Sequence, residues 1–237
     1  GKVHDLNEIL PVLDKNKKVF EPQQLAGISP RDLAKIFSDD NGPVPFPDFD
    51  VRLQLTRAYG NSFENNRTPD LLVQWANNNQ RRSLDAFLMF TRTISGYDKD
   101  YFRKKNLLLA MVLVNRPEHF LKVNDLENWR PILDYHLMRL SLRLGLVDLD
   151  ELEKEKNKER QWISSQEEDK IRCLVSGAMN EVIQQSGHTM FFVDEKFWMG
   201  RKYCPEMQVP DCSKCLFNSV CEKRVELFQP VFRTTAY

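Results

Sequence analysis

Hydrophobic side chains recur at helical spacing between residues 165 and 186, and this is the clearest periodic segment of the chain. Ser165 and Glu168 fit a capping box at its start, and Gly187 fits a C-terminal stop. The apolar positions of the stripe are Ile171, Leu174, Val175, Ala178, Met179, Val182 and Ile183. A stripe with this spacing predicts a helix that packs one face into a core. Cys173 lies off the stripe, and we interpret it as an inert thiol.

Shorter segments carry the same helical signals. Ser29 is predicted to cap a helix that has Pro30 at its first position, and the proline-rich segment 41–47 ends that helix. Further helices are predicted at three places: residues 48–59, the segment that Ser83 would cap, and the strongly apolar residues 101–114.

Residues 148–160 are almost wholly charged. Such a segment is predicted to form a solvated helix or a hinge between lobes. No stretch of any length alternates between apolar and polar residues as a strand would, and neither an internal repeat nor a phosphate-binding glycine loop is present. The pattern as a whole therefore predicts an all-α protein.

Composition narrows the class of protein. The chain has 237 residues, of which 41% are hydrophobic, and no apolar run approaches the roughly 18 residues that a membrane span requires. The N-terminal residues do not resemble a secretory signal, so we expect an intracellular protein, cytoplasmic or nuclear in a eukaryote, without membrane contact. Thirty-four basic residues balance 34 acidic ones. This balance does not favour tight binding to duplex DNA, since phosphate contacts supply most non-specific affinity.

Four of the five cysteines fall within a short C-terminal segment and predict a metal site. Cys204, Cys212, Cys215 and Cys221 have the spacing C-x7-C-x2-C-x5-C. Four thiolates at unequal spacing favour a [4Fe–4S] cluster. Zinc is the alternative, although structural zinc sites more often pair two C-x2–4-C knuckles and only one is present here.

The cysteine spacing resembles that of a known family. C-x6-C-x2-C-x5-C marks the endonuclease III and MutY branch of the helix-hairpin-helix DNA-glycosylase superfamily, and this chain has one more residue in the first gap. The segment 193–204 is similar to the helix that leads into that family's cluster loop. The resemblance implies an all-α, two-lobed, glycosylase-like fold in which the cluster is a structural staple and not the catalyst.

A second segment, 133–146, is similar to the superfamily's V-D-T-H-x-x-R-x-x-x-R-L-G-L motif. It implies that Asp134 is the catalytic aspartate, with His136, Arg139 and Arg143 at the family's histidine and arginine positions. A carboxylate at this place can stabilise the positive charge that develops on a sugar when its N-glycosidic bond breaks, and it can activate water. An ordinary acid at a helix N-terminus is the alternative interpretation of Asp134.

The chain departs from that family in three features. It has no glycine between Gly96 and Gly145, so the glycine-containing hairpin that grips DNA is absent or rebuilt. The family's lyase lysine has no match, since Lys122 does not align, and we expect a monofunctional enzyme without lyase activity. The loop 205–211 contains no basic residue.

A weaker resemblance is to queuosine-salvage nucleoside or nucleotide glycosidases, and it covers roughly residues 45–146. It rests on four short elements in order: Asp50-Val-Arg52, Gly60-Asn-Ser62-Phe63, the segment 101–106, and Asp134-Tyr135-His136. That family lacks the cysteine cluster. The resemblance implies a free modified nucleoside or nucleotide as substrate, whereas the cysteine motif implies a modified or damaged base in DNA.

Together these features predict an N-glycosidic bond hydrolase of DNA repair or nucleoside salvage, with an iron–sulfur-stabilised, non-catalytic nucleic-acid-binding protein as the alternative. Asp134 is the predicted catalytic residue. The predicted substrate-binding residues are His136, Arg139, Trp129 and Trp198. The expected organisation is an N-terminal helical extension over 1–45, a core over 46–147, a second helical lobe over 148–203, and the cluster loop with the tail over 204–237.

Overall fold

The computed structural model describes residues 17–38, 48–63 and 67–235. Within them it contains ten α-helices: α1 Pro22–Ala26, α2 Pro30–Phe37, α3 Phe49–Asn61, α4 Pro69–Asn78, α5 Ser83–Thr91, α6 Lys104–Asn115, α7 Tyr135–Leu144, α8 Glu151–Lys158, α9 Ser165–Ser186 and α10 Met190–Gly200. Short 3-10 turns lie at Lys17–Phe20, Leu126–Asn128 and Cys212–Lys214. The extended pairing found in these residues is one isolated bridge between Trp162 and Val231. The prediction of an all-α protein is confirmed.

Several predicted helix boundaries are confirmed, while others move by one or a few residues. Ser29 caps α2 by accepting a hydrogen bond from Asp32 N, and Pro30 is its first residue. Ser83 does not cap α5: it is the first helical residue, and its hydroxyl bonds to Asn124. The predicted loop at 41–47 lies outside the described residues.

Helix α6 begins later than predicted because of Asp100. Its carboxylate accepts hydrogen bonds from the backbone amides of Phe102 and Lys104, at 3.1 and 2.7 Å. Side-chain acceptance of this kind satisfies amides that have no partner inside the helix. The helix therefore starts at Lys104 and not at residue 101.

The capping box of α9 lies one residue before the predicted one. Ser164 and Glu167 form it, with the Ser164 hydroxyl accepting from Glu167 N and the Glu167 carboxylate accepting from Ser164 N. Ser164 and Ser165 both suit a cap, and the extended backbone of Ser164 makes it the residue outside the helix. Glu168 takes no part in the capping box, and its side chain is buried, at 2% exposure.

The chain divides into two compact units, Gly1–Lys99 with Leu113–Asn124, and Asp100–Val112 with Asp125–Tyr237. In the first unit, α1 crosses α3 at Gly60, where a Cβ atom would lie only 2.4 Å from the backbone oxygen of Pro22. A glycine is therefore required at this close approach. Two small apolar clusters of this unit are formed by Leu25, Ile28, Leu33 and Leu53, and by Phe63, Leu72 and Ile94. Further apolar side chains, among them Leu84 and Phe87, are also buried there. The predicted domain boundaries remain predictions.

The second unit has a larger core, formed mainly by α7, α9 and α10. The predicted stripe on α9 supplies Ile171, Val175 and Met179, each at most 3% exposed. Leu174 was wrongly assigned to the buried stripe, since it is 41% exposed, and Cys173 is exposed as expected from its position off the stripe. The stripe is narrower than its sequence suggests because the neighbouring helices cover only one edge of it.

The charged segment 148–160 contains helix α8, as one of its two interpretations predicted. Asp150 and Glu153 form a capping box at its start. Its buried residue is Asn157, whose amide donates to Phe228 O at 2.8 Å and accepts from Phe228 N at 2.7 Å. One side chain thus pins the C-terminal tail to a mostly solvated helix. Within the described ranges, no helix is both long and apolar enough to span a membrane.

An ion-pair network lies inside the second unit. The Arg172 guanidinium contacts Asp100 at 2.8 Å and Glu168 at 3.6 Å, and it lies over the Phe102 ring. It also donates to Leu133 O at 3.4 Å. Arg172 and both acids are buried, so the network holds the backbone that leads into α7.

Replacing Arg172 with methionine should destabilise the protein by about 3–5 kcal/mol, because two buried carboxylates would lose their counter-charge. Urea unfolding monitored by circular dichroism measures this. Lys170→Met, on the same helix, is the matched control: Lys170 is 53% exposed in its pairs with Asp150 and Glu153, so its loss should have little effect on stability. Equal effects of the two substitutions would contradict the structural role of Arg172.

Candidate functional site

Asp134 is the N-cap residue of α7. Its Oδ1 atom accepts hydrogen bonds from His136 N at 2.8 Å and Leu137 N at 3.0 Å. The residue is 5% exposed. Capping therefore gives Asp134 a structural role in addition to any chemical one. Among the described residues no donor bonds to Oδ2, so the second oxygen is left for a ligand or water.

Asp194 is a second carboxylate near Asp134, and the sequence interpretation missed it. It lies on α10, and its Oδ1 accepts from Ile132 N at 3.1 Å. The pKa of Asp194 is raised to about 6, mainly by burial; the hydrogen bond from the Ile132 amide opposes the shift, and the nearby charge of Asp134 adds to it. One sequence feature could have identified Asp194. It lies four positions before Trp198 on the helix that precedes the cysteines, so both residues lie on one face of that helix.

His136 and Trp198, two of the predicted binding residues, lie in contact. Their rings meet edge to face with centroids 5.6 Å apart, and the Arg201 guanidinium lies 3.7 Å from the Trp198 ring centroid. The Arg139 guanidinium is 3.2 Å from His136 Nδ1. Because arginine only donates, we assign Nδ1 as the acceptor. Burial lowers the pKa of His136, the Asp134 charge opposes this, and the Arg139 charge adds to it.

Trp129 is placed differently from the other predicted binding residues. It is 6% exposed, and its indole packs against Phe191 with ring centroids 4.5 Å apart. Its Nε1 atom is buried and has no acceptor in the part of the chain that the structure describes. Core packing accounts for the ring, while the unpaired donor has no structural explanation.

Arg139 is engaged within the protein and not with solvent. It is 2% exposed, with Nε donating to Cys204 O at 3.2 Å and one terminal nitrogen donating to Gln229 Oε1 at 2.8 Å. The other terminal nitrogen contacts His136. A residue predicted to bind substrate therefore connects the start of α7 to the cysteine loop and to the C-terminal tail.

Arg143 holds the cysteine loop one turn further along α7. Its Nε donates to Leu227 O at 2.7 Å, and a terminal nitrogen donates to Pro205 O at 2.8 Å and to Cys204 Sγ at 3.4 Å. The backbone of α7 contributes too, since the carbonyl oxygens of Arg143 and Leu144 accept from the amides of residues 224 and 222. The end of α7 is thus the platform on which the loop lies.

The four clustered cysteines line one pocket. None of them is in a disulfide, and Lys223 N donates to Cys221 Sγ at 3.2 Å. Burial raises the pKa of the Cys221 thiol, the Lys223 amide lowers it, and the other three cysteines raise it again. These four thiols are the ligands that the sequence predicts for a metal centre. As they stand in the described part of the chain, no three or more His, Cys, Asp or Glu side chains are placed to hold a metal ion.

No known family model matches this chain, and no curated protein matches it either. The resemblances to DNA glycosylases and to queuosine-salvage glycosidases therefore rest on short motifs alone. What the structure adds is that two of these motifs, around Asp134 and the cysteines, meet on one helix.

Asp194→Asn should stabilise the protein at neutral pH. The native pKa of Asp194, about 6, exceeds the ordinary value of 3.8, so the folded state binds the proton more tightly. The protonated Asp194 carboxyl makes its full contribution to the free energy of unfolding below about pH 4. This contribution, at most about 3 kcal/mol, is lost as the pH rises through 6. Asparagine keeps an oxygen for Ile132 N without the charge.

The measurement is urea unfolding of both proteins between pH 4 and pH 8. The variant should gain about 2–3 kcal/mol over the wild type at pH 7 and nothing near pH 4. A difference that does not change with pH would show that Asp194 is not a strained carboxylate. Asp148→Asn, at an exposed acid paired with Arg224, is the control and should be slightly destabilising instead.

Proposed function

We propose that this protein hydrolyses an N-glycosidic bond, with Asp134 as the central carboxylate and with a [4Fe–4S] cluster stapling the loop beside it. The observation that supports this best is the arrangement of α7. Its first turn carries Asp134, and its last turn receives the four-cysteine loop through Arg143. Two motifs that are separated in sequence thus meet on one rigid helix.

The roles of the two carboxylates follow from their surroundings. Asp134 has one oxygen committed to backbone amides and one left to face a sugar carbon or an attacking water. Asp194 takes a proton more readily because it is buried beside that charge. A carboxyl group with a raised pKa suits proton donation, so Asp194 would supply a proton to the departing base while Asp134 would stabilise the positive charge on the sugar.

The cysteine spacing favours a cluster over a structural zinc, since zinc sites more often pair two C-x2–4-C knuckles and only one is present. All four cysteines line one pocket, which supports a shared centre held by four thiolates. Four thiolates at unequal spacing are typical ligands of a [4Fe–4S] cluster. When bound, it would fix the loop geometry.

The cluster proposal predicts the colour and iron content of the protein. Anaerobically purified protein should be brown, with broad visible absorbance and about four irons per chain. Cys212→Ser should lose most of this absorbance, while Cys173→Ser, at an exposed thiol outside the pocket, should retain it. A colourless protein that contains zinc would refute the proposal.

The catalytic proposal is tested with Asp134→Asn. Asparagine is as good an N-cap as aspartate, so the fold should be kept while the charge is lost. Base release should fall by about 100-fold or more, measured on a panel of damaged duplexes and free modified nucleosides. Thermal unfolding of the variant checks the fold. Equal base release by both proteins would remove Asp134 from the mechanism.

A non-catalytic, cluster-stabilised nucleic-acid-binding protein is the second candidate. The observation that favours it is the burial of Asp134, at 5% exposure, together with a capping role that already explains an acid there. The balanced charge of the chain argues against a large phosphate-contacting surface and favours a nucleoside or nucleotide substrate. The salt dependence of DNA affinity distinguishes the two. Affinity that falls steeply with salt would indicate phosphate contacts, whereas weak and salt-insensitive binding would argue against a nucleic-acid interface.

A further inference from the structure

An open cavity of about 350 Å³ lies beside Tyr135, the residue that follows Asp134. Its walls come from the start of α7, from Arg160 just beyond the end of α8, from the cysteine loop and from the C-terminal tail. Five of the lining side chains matter for recognition: Tyr135, Arg160, Glu206, Gln229 and Phe232. A mixture of aromatic faces and a few polar groups is typical of small-molecule sites.

The aromatic wall is held in place and is accessible. Tyr135 is 46% exposed, and its ring is tilted against the ring of His136 with centroids 4.1 Å apart. An exposed aromatic ring that a neighbouring ring orients is available to stack on a flat ligand. Phe232 provides a second apolar surface in the same cavity.

Gln229 offers a hydrogen-bond donor whose direction is determined by Arg139. Arginine can only donate, so the amide oxygen of Gln229 must face Arg139, to which it is bonded at 2.8 Å. The amide nitrogen is then left on the other side. Over the described part of the chain, this nitrogen has no acceptor, so a ligand in the cavity can use it.

Glu206 offers an acceptor, and Arg160 compensates its charge. The Arg160 guanidinium lies 3.0 Å from Glu206 Oε1, yet that oxygen is buried without an aligned hydrogen bond. Arg160 has φ +55°, a left-handed conformation that is unfavourable for its residue type. Two contacts hold this conformation: the Arg160 backbone amide donates a hydrogen bond to Asn157 O, and the Arg160 guanidinium stacks on the Phe228 ring. Strain of this kind is common at binding sites.

We propose that this cavity binds a nucleobase, stacked on Tyr135 and recognised at its edge by Gln229 and Glu206. The Gln229 amide would donate a hydrogen bond and the Glu206 carboxylate would accept one. A planar ligand that pairs with both must therefore carry an acceptor next to a donor on its edge. Each of the four bases carries such a pair on its pairing edge, and bases splayed out of a helix are recognised in this way. The inference rests on the proposed function only in taking this base to be part of the substrate.

The test is titration calorimetry of the purified full-length protein with adenosine, guanosine, cytidine and uridine, and with a single-stranded oligonucleotide of mixed sequence. At least one nucleoside or the oligonucleotide should bind saturably. Tyr135→Ala should weaken that binding about 10-fold or more, the usual effect of losing one base–aromatic stack, whereas Tyr135→Phe should not. Stronger binding of the oligonucleotide than of any nucleoside would identify a strand as the source of the base.

The matched control is Tyr101→Ala, which removes a tyrosine that is 83% exposed and lies outside the cavity. Saturable binding that is equal in wild type, Tyr135→Ala and Tyr101→Ala, or no binding of any probe, would overturn the cavity assignment. Comparing binding with base release separates the two proposals. Binding that depends on Tyr135, without base release by the wild type, supports the cavity assignment and refutes the hydrolase. Base release with a KM that Tyr135→Ala does not change supports the hydrolase and refutes the cavity assignment.

Discussion

Two guanidinium groups on one buried helix organise the second unit. Arg139 and Arg143 are each 2% exposed, and their donors bind the backbone oxygens of residues 204, 205 and 227 as well as Gln229. Buried arginines are tolerated only where their donors find acceptors, so the cysteine loop and the tail must return to α7. The cysteine pocket, the cavity beside Tyr135 and the start of α7 all depend on these contacts.

The start of the same helix carries a different constraint. Asp134 uses one oxygen to cap α7, and Asp194 is held nearby with a raised pKa. Burying a carboxylate beside another one costs stability, and a purely structural position would be better served by asparagine. Strained groups of this kind are typical of functional sites, where stability is exchanged for chemistry. The pair therefore supports a chemical role for this end of the helix more strongly than Asp134 alone.

The candidate site could be predicted in part. The motif around Asp134 located the segment that forms α7, the cysteine spacing located the loop that packs on its last turn, and the rings of His136 and Trp198 lie in contact. Arg139 was expected to bind substrate, yet the structure places it between His136, Gln229 and the cysteine loop. Asp194, Glu206 and Gln229 were missed because each acquires its meaning from a partner more than 60 positions away or from a cavity wall that no local pattern records.

The sequence by itself determined the all-α class and the positions of several helices with some of their caps, although α4 was not predicted. Those features depend on neighbours within about four positions, as at the Ser29 cap and at Gly145, whose left-handed φ of 82° ends α7. Tertiary structure alone decided which side of a helix is buried, so that Leu174 is exposed, and which distant groups pair. Arg143 and Leu227 are 84 positions apart, and only the packing of the unit brings them within hydrogen-bonding distance.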